Sequence, residues 1–130
     1  MAIRLLDSGE AEKLRALFAQ DGELKQVSRD MTLNLCIEIG GDKRLIKVRD
    51  GEFKSIGRFV PMTESIDVSV KAAPDFWQKV LSPIPPPNFQ NLYAGVRFKT
   101  CEVSGSSELY FAYFAAITRM VEIMRDHQNS

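Results

Sequence analysis

At Met31 the spacing of apolar residues changes from helical to strictly alternating, and that change confines the chain to folds that set helices against a sheet. Met31, Leu33, Leu35, Ile37 and Ile39 alternate with Thr32, Asn34, Cys36 and Glu38. Residues two apart on a strand share a face, so this segment reads as a half-buried strand with Cys36 on its polar side. Gly40-Gly41-Asp42 supplies a hairpin turn into a second strand, Arg44 to Arg49, with Ile46 and Val48 inward. Asp50-Gly51 signals a type I′ turn into a third strand, Glu52–Gly57. Arg58 to Glu64 is a looser link broken by Pro61. Ile66, Val68 and Val70 then alternate with Asp67, Ser69 and Lys71 as a fourth strand. Four strands joined in this way predict an antiparallel meander.

Helices are expected on either side. Asp7 with Glu10 three residues later forms a capping box, and Leu14, Leu17 and Phe18 share one face of the helix that follows. Asp21-Gly22 ends it, and Leu24 and Val27 form a short apolar link. Pro74 suits the first position of another helix, with Asp75 in its first turn and Phe76, Trp77, Val80 and Leu81 as its apolar side. Ser82-Pro83-Ile84-Pro85-Pro86-Pro87 must leave that helix. Phe89, Leu92 and Tyr93 suit one further helical turn. Val96, Phe98 and Thr100 alternate with Arg97 and Lys99 as a fifth strand. Ser104-Gly105-Ser106-Ser107 leads into a long final helix, Glu108 to about Asp126. The expected fold is α+β, a five-stranded mostly antiparallel sheet covered on one face by helices. The element order is α-β-β-β-β-α-β-α, and a single domain spans residues 1–130.

Composition narrows the function. The 17 basic and 17 acidic residues cancel, which removes the simplest case for nucleic-acid binding. An apolar fraction of 45% is too high for disorder. Two cysteines make no disulfide framework, and no spacing suggests a metal site or another cofactor. Met1-Ala2-Ile3-Arg4-Leu5-Leu6-Asp7 meets an acid too soon for a signal-peptide core. The longest apolar run, Leu109 to Ile117, is too short to span a membrane. These features imply a cytoplasmic protein.

Catalytic constellations are sparse. His127, the only histidine, reads as a solvated tail residue rather than a base. Cys36 and Cys101 would need nearby cations to act as reactive thiols. The final helix is more informative. Tyr110, Tyr113, Phe114, Ile117, Met120, Val121 and Met124 form a stripe at helical spacing, yet Leu109, Phe111, Ala112, Ala115 and Ala116 make its first half apolar nearly all round. Phe76, Trp77, Phe89 and Tyr93 gather four aromatics around the stiff proline loop, and Met62, Met120 and Met124 offer adaptable surfaces. Such a set reads either as ordinary core or as the wall of an apolar ligand cavity. Leu109, Phe111 and Ala115 need separate cover. It would come from the N-terminal helix through Leu14, Leu17 and Phe18, or from a second copy in a homodimer.

The whole order of elements resembles the sterol carrier protein 2 family. The likeness rests on Met31-Thr32-Leu33-Asn34-Leu35-Cys36-Ile37-Glu38-Ile39, on Leu45-Ile46-Lys47-Val48-Arg49-Asp50-Gly51, and on Ile66-Asp67-Val68-Ser69-Val70 running into the helix with Phe76 and Trp77. Gly95 through Gly105 looks like that family's last strand and glycine turn. Gly105 is followed by Ser106, where the family often has Asp, and the proline-dense loop is unusual. The C-terminus does not carry the peroxisomal Ser-Lys-Leu signal. A nuclear transport factor 2-like cone is the competing fold, but it finishes on long strands.

The resemblance implies carriage of a fatty acyl chain, sterol or other lipid between sheet and helices, with no metal, cofactor or catalytic residue. By that resemblance Leu33, Leu35 and Ile37 form the sheet wall, Phe76 and Trp77 the wall of the connecting helix, and Tyr113, Phe114 and Ile117 the closing helix. Phe89 joins this set from the aromatic group at the proline loop. The alternative from another class is a small isomerase, cyclase or hydrolase acting on a hydrophobic substrate, with Tyr110, Tyr113 or Glu108 moving a proton.

Overall fold

The computed structural model describes residues 3–59 and 61–130. Met1 and Ala2, which head the opening stretch, and Val60, inside the Arg58–Glu64 link, lie outside the described residues. A 3-10 turn, Arg4–Leu6, leads into α1 (Ser8–Gln20) and α2 (Gly22–Val27). Then come β1 (Leu33–Ile39), β2 (Asp42–Arg49), β3 (Glu52–Arg58) and β4 (Val68–Ala72). The chain continues through α3 (Pro74–Val80), α4 (Leu92–Arg97), β5 (Cys101–Gly105), α5 (Ser107–Ala112) and α6 (Phe114–Gln128).

The first helix starts where its cap predicts. Asp7 accepts hydrogen bonds from the backbone N–H groups of Gly9 at 2.9 Å and Glu10 at 3.4 Å. The returning half of the capping box is absent, because the Asp7 N–H donates to the Arg4 carbonyl. Glu10 turns instead to α6. Asp21 does end α1, but its extended backbone and its carboxylate, which accepts from the Leu24 N–H at 2.8 Å, start α2 in place of the expected link. Leu14 and Phe18 are fully buried, with the Phe18 ring 5.3 Å from Phe53, whereas Leu17 is left 40% exposed.

The sheet order is β3-β2-β1-β4-β5, so the four-strand meander is corrected. β1, β2 and β3 do form consecutive antiparallel hairpins, and Asp50-Gly51 turns at φ +51° and +79° as expected. β4 does not join β3. It pairs in parallel with the far side of β1, from Leu35 opposite Val68 to Ile39 opposite Ala72. The reason lies in β1, which is buried on both faces: Asn34 and Cys36 are covered as well as Leu33, Leu35 and Ile37. A strand of that kind belongs at the centre of a sheet, with a partner on each side.

The link after β3 therefore crosses the outer face. Asn34 Nδ2 donates to the Ser65 carbonyl, Asp67 Oδ2 accepts from the Asn34 N–H, both at 2.8 Å, and Lys47 meets Glu64 at 2.5 Å. The fifth strand is Cys101–Gly105, antiparallel to β4, rather than Val96–Thr100.

Helices cover the opposite face. Leu33, Leu35, Ile37, Ile46, Val48, Val68 and Val70 join one apolar cluster with Phe76, Trp77, Ile117, Met120 and Met124. Burying each of the larger aliphatic chains stabilises the fold by about 1.5–3 kcal/mol. Trp77 ties α3 to the sheet, since its indole N–H donates to the Glu38 carbonyl at 3.0 Å.

The end of α6 is also held, which corrects the reading of His127 as a solvated residue. His127 is only 7% exposed, with Nε2 3.0 Å from Glu10 Oε2, within ion-pair range but off-line for a hydrogen bond. The Arg4 guanidinium donates to the His127 carbonyl at 2.8 Å and to the Ser130 carbonyl at 2.9 Å. Burying the histidine needs this tertiary contact between α1 and α6, which no local pattern announces.

Arg119 locks α6 to the α1–α2 corner. Its Nε and Nη2 donate to Asp21 Oδ2 and Oδ1 at 2.9 and 2.8 Å, a two-pronged charge-assisted contact. The guanidinium holds the Asp21 carboxyl down at about 2, against an ordinary 3.8. A carboxyl depressed in the folded state adds stability that is complete above about pH 4 and lost as pH falls through about 2. Asp21→Asn should therefore cost about 1–3 kcal/mol near neutral pH in urea unfolding. That deficit should shrink toward zero between pH 4 and pH 2, whereas a deficit independent of pH would deny the ion pair this role.

Candidate functional site

The candidate site is built from the inner face of β1 outward. Leu33, Leu35 and Ile37 are at most 1% exposed, and α3 lays Phe76 and Trp77 over the same cluster. Pro74 at the first position of α3 presets the helical turn that aims them inward. The Phe76 ring meets Trp77 edge-on at 5.5 Å and Phe89 at 6.0 Å, and Lys79 Nζ stands 4.7 Å above the Phe89 ring.

α4 reaches this group through a glycine. A Cβ added at Gly95 would lie 2.6 Å from the Phe76 ring and 2.8 Å from Cys101 Cβ, so only a bare Cα permits the approach. Asn91 starts α4 by accepting from the Ala94 N–H at 2.9 Å. Val96 and Arg97 thus complete a helix where a strand was expected.

The final helix is two helices. Ser106, standing where an Asp was expected from the resemblance, does the same work: its hydroxyl accepts from the Leu109 N–H at 3.1 Å and starts α5. The helix breaks at Tyr113, with φ −111° and ψ 20°. α5 lies against β4, whereas α6 lies against α1 and α2, so the two halves of the apolar stripe serve different partners. Tyr110 is buried between them, 5.6 Å from Phe114 and 5.4 Å from Phe111. The N-terminal helix does not cover Phe111, which is 73% exposed, or Ala115, since Leu14 and Phe18 pack elsewhere.

The structure thus gathers the nine expected ligand-contact residues into or onto one cluster. Leu33, Leu35, Ile37, Phe76, Trp77 and Ile117 are buried within it, and Phe89, Tyr113 and Phe114 are half-buried at its boundary. Met62 does not join them, being 93% exposed on the crossing link. The sequence reading missed the wall made by Cys101, Val103 and α4 because it placed the last strand too early. Asn91 as a helix cap and the alternation of Cys101 with Val103 were the signals for it. At that edge lies an open groove of about 660 Å³, lined by Ala72, Val96, Lys99, Cys101, Glu102 and Val103 among others. None of the nine residues lines it.

Two titratable groups within the cluster are held protonated. Burial pushes the Cys101 thiol up to about 12 and the Tyr110 hydroxyl above its ordinary value. Cys36 is raised too, mainly by burial, and lies in the opposite, outer face of the sheet, so the two thiols cannot meet. Of the proton-transfer candidates, Tyr113 is half-buried and Glu108 is exposed. Among the described residues no group of three His, Cys, Asp or Glu side chains could hold a metal ion. No helix among them is long and apolar enough to cross a membrane.

Five strands in this order, with all helices on one face, define the sterol carrier protein 2-like fold, and comparison with solved structures agrees. The chain superposes on sterol carrier protein 2 with a TM-score of 0.75 at 12% identity, covering 94% of this chain and 98% of that one. It matches the ubiquinone synthesis protein UbiJ-SCP2 at 0.61 and 18% identity, covering 92% and 96%. It matches the palmitated SCP2L2 of Aedes aegypti at 0.55 and 14% identity, covering 95% of each chain. No protein-family model matches the chain, and no curated protein matches it in sequence.

Two outcomes follow from the packing. Gly95→Ala should destabilise the protein by about 1–3 kcal/mol through overpacking against Phe76 and Cys101, with a shift in Trp77 fluorescence that a purely surface change would not give. Iodoacetamide at pH 8 should label neither thiol in the native protein and both after denaturation. Labelling of either thiol without unfolding would contradict its burial.

Proposed function

We propose that the protein binds and carries an apolar ligand, a fatty acyl chain, sterol or other lipid, between the inner face of the sheet and helices α3 to α6, without catalysing a reaction on it. The observation that carries this reading is the apolar layer on that face, in a fold shared with sterol carrier protein 2 and with a palmitated relative in structure. Leu33, Leu35 and Ile37 would form the wall on the sheet. Phe76, Trp77 and Phe89 would flank the chain, and Tyr113, Phe114 and Ile117 would close over it.

The ligand takes the place of side chains that now fill the layer. Phe89, Tyr113 and Phe114, being half-buried, are the cheapest to displace, and the break at Tyr113 lets α5 turn outward while α6 stays bound to α1 and α2. Each ligand methylene buried contributes about 0.8 kcal/mol before losses of freedom. The rarity of charge in the layer favours an apolar cargo over a polar one. A cytoplasmic address belongs to the same reading, since a chain with only two cysteines has no disulfide framework.

Native mass spectrometry of protein made in cells should show a co-purified lipid. After delipidation, fatty acids, sterols or phospholipids should raise the melting temperature, with about 2.7 kcal/mol of stabilisation at a ligand concentration a hundred times Kd. Bare polypeptide in the native spectrum together with an unmoved melting temperature across the panel would overturn the carrier reading.

A further inference from the structure

From Phe76 to Cys101 the chain has no Asp or Glu, although acids number 17 in its 130 residues. The same stretch holds Lys79, Arg97 and Lys99. Lys79 is committed to Asp75 at 3.1 Å, but Arg97 and Lys99 form no ion pair among the described residues. Arg125 of α6 adds an uncompensated charge beside it, since its guanidinium donates to the carbonyls of Val80 and Gln90 rather than to an acid. The stretch also holds Ile84, Tyr93, Val96 and Phe98, half of the exposed large apolar side chains among the described residues.

These features converge on α4. Leu92 and Gly95 are buried and fix its inner side, which leaves Tyr93, Val96 and Arg97, spaced i, i+3 and i+4, on the outward face. Tyr93 is 58% exposed and Phe98 51%. The chain turns back to β5 at Lys99, whose φ of +62° is unusual for a residue with a side chain, and the Thr100 N–H closes the turn on the Gly95 carbonyl at 2.9 Å. That turn holds Phe98 and Lys99 out from the fold, and the Arg97 guanidinium lies 5.8 Å over the Phe98 ring. Glu102 is the nearest acid along the chain on this side, and Lys71, across the groove, already faces Glu38 at 3.8 Å.

We propose that the outward face of α4 and its C-terminal turn, Tyr93, Val96, Arg97, Phe98 and Lys99, docks on the surface of an anionic lipid bilayer. An exposed tyrosine, valine and phenylalanine suit the headgroup–acyl boundary, and the two unpaired cations complement phosphate and carboxylate headgroups. The charge complementarity is local, because the protein as a whole is neutral. A soluble acidic partner would engage the cations but leave the three apolar side chains unexplained. Val96 and Lys99 also line the 660 Å³ groove, so docking would set its mouth against the membrane. The docking surface stands on its own observations, whether or not the carrier reading holds.

The test is co-sedimentation of the full chain with vesicles of phosphatidylcholine alone and of phosphatidylcholine mixed with phosphatidylglycerol. Binding should require the anionic lipid and weaken as salt rises. The double variant Arg97→Glu, Lys99→Glu should bind at least about tenfold more weakly. Phe98→Ser should also weaken binding, while Lys54→Glu on β3, the opposite edge of the sheet, should not. Unchanged thermal melts would show that these exposed positions leave the fold intact. Vesicles that ignore the protein, equal binding to both vesicle types, or undiminished binding by the double variant would each overturn the proposal. A fatty acid should still raise the melting temperature of the double variant in vesicle-free solution, which separates a failure of docking from a failure of carriage.

Discussion

Burial of β1 on both faces is the constraint on which the rest of the structure depends. A strand without a solvent face must sit at the centre of its sheet with both edges paired. β2 supplies one partner through a tight hairpin. The other cannot be β3, which is already spent on the far side of β2, so the chain must cross the sheet and lay β4 parallel to β1. Cys36 and Leu45 are buried on the outer face, outside the core cluster, and the inner face is left to the helices. Asn34 stands at the crossing point, receiving 2.7 Å contact from Arg49 and binding the Ser65 carbonyl while its backbone meets Asp67.

With the crossing on one face, every remaining helix is committed to the other. α3 arrives directly from β4, pinned by the Trp77 indole on the Glu38 carbonyl, and α4 follows closely enough that only glycine fits at position 95. α5 and α6 then divide what one long helix could not do. The first lies along β4, and the second bridges to α1 and α2 through the Arg119–Asp21 fork and the buried His127. The result is an apolar layer in which burial holds the Cys101 thiol and the Tyr110 hydroxyl in their neutral forms. Such a layer offers dispersion and exclusion of water, the means by which an apolar molecule is recognised.

Charge is distributed against this apolar background in an informative way. Acids and bases balance over the chain, yet they do not balance locally around α4, where two cations stand unpaired beside exposed aromatic and aliphatic side chains. Elsewhere on the surface many cations are paired, among them Lys13 with Glu10, Arg15 with Glu12, Lys47 with Glu64 and Arg119 with Asp21. A net charge of zero therefore argues only against long-range attraction, and it leaves room for a local surface that favours negative partners.

Much of this was legible in the sequence, for reasons that are local. The alternation from Leu33 to Ile39, the Asp50-Gly51 turn, the Asp7 cap and the Pro74 helix start each depend on residues within a few positions of one another. The element order they produce was enough to suggest the fold and to nominate Leu33, Leu35, Ile37, Phe76, Trp77 and Ile117, all of which proved to be buried. What failed was non-local. Val96, Phe98 and Thr100 alternate like a strand, but Asn91 caps a helix there and Gly95 packs it against Phe76 and Cys101, a contact between residues far apart in sequence. His127 looked solvated because nothing near it in sequence could bury it, and Glu10 lies at the other end of the chain. The sequence by itself thus determined β1, β2 and β3, the starts of α1 and α3 and which of their faces are apolar, because those follow from periodicity, turns and capping. Only the tertiary structure decided that β4 runs parallel to β1, where the last helix breaks and which apolar side chains stay exposed, because strand partners and helix neighbours are chosen by the packing of distant faces.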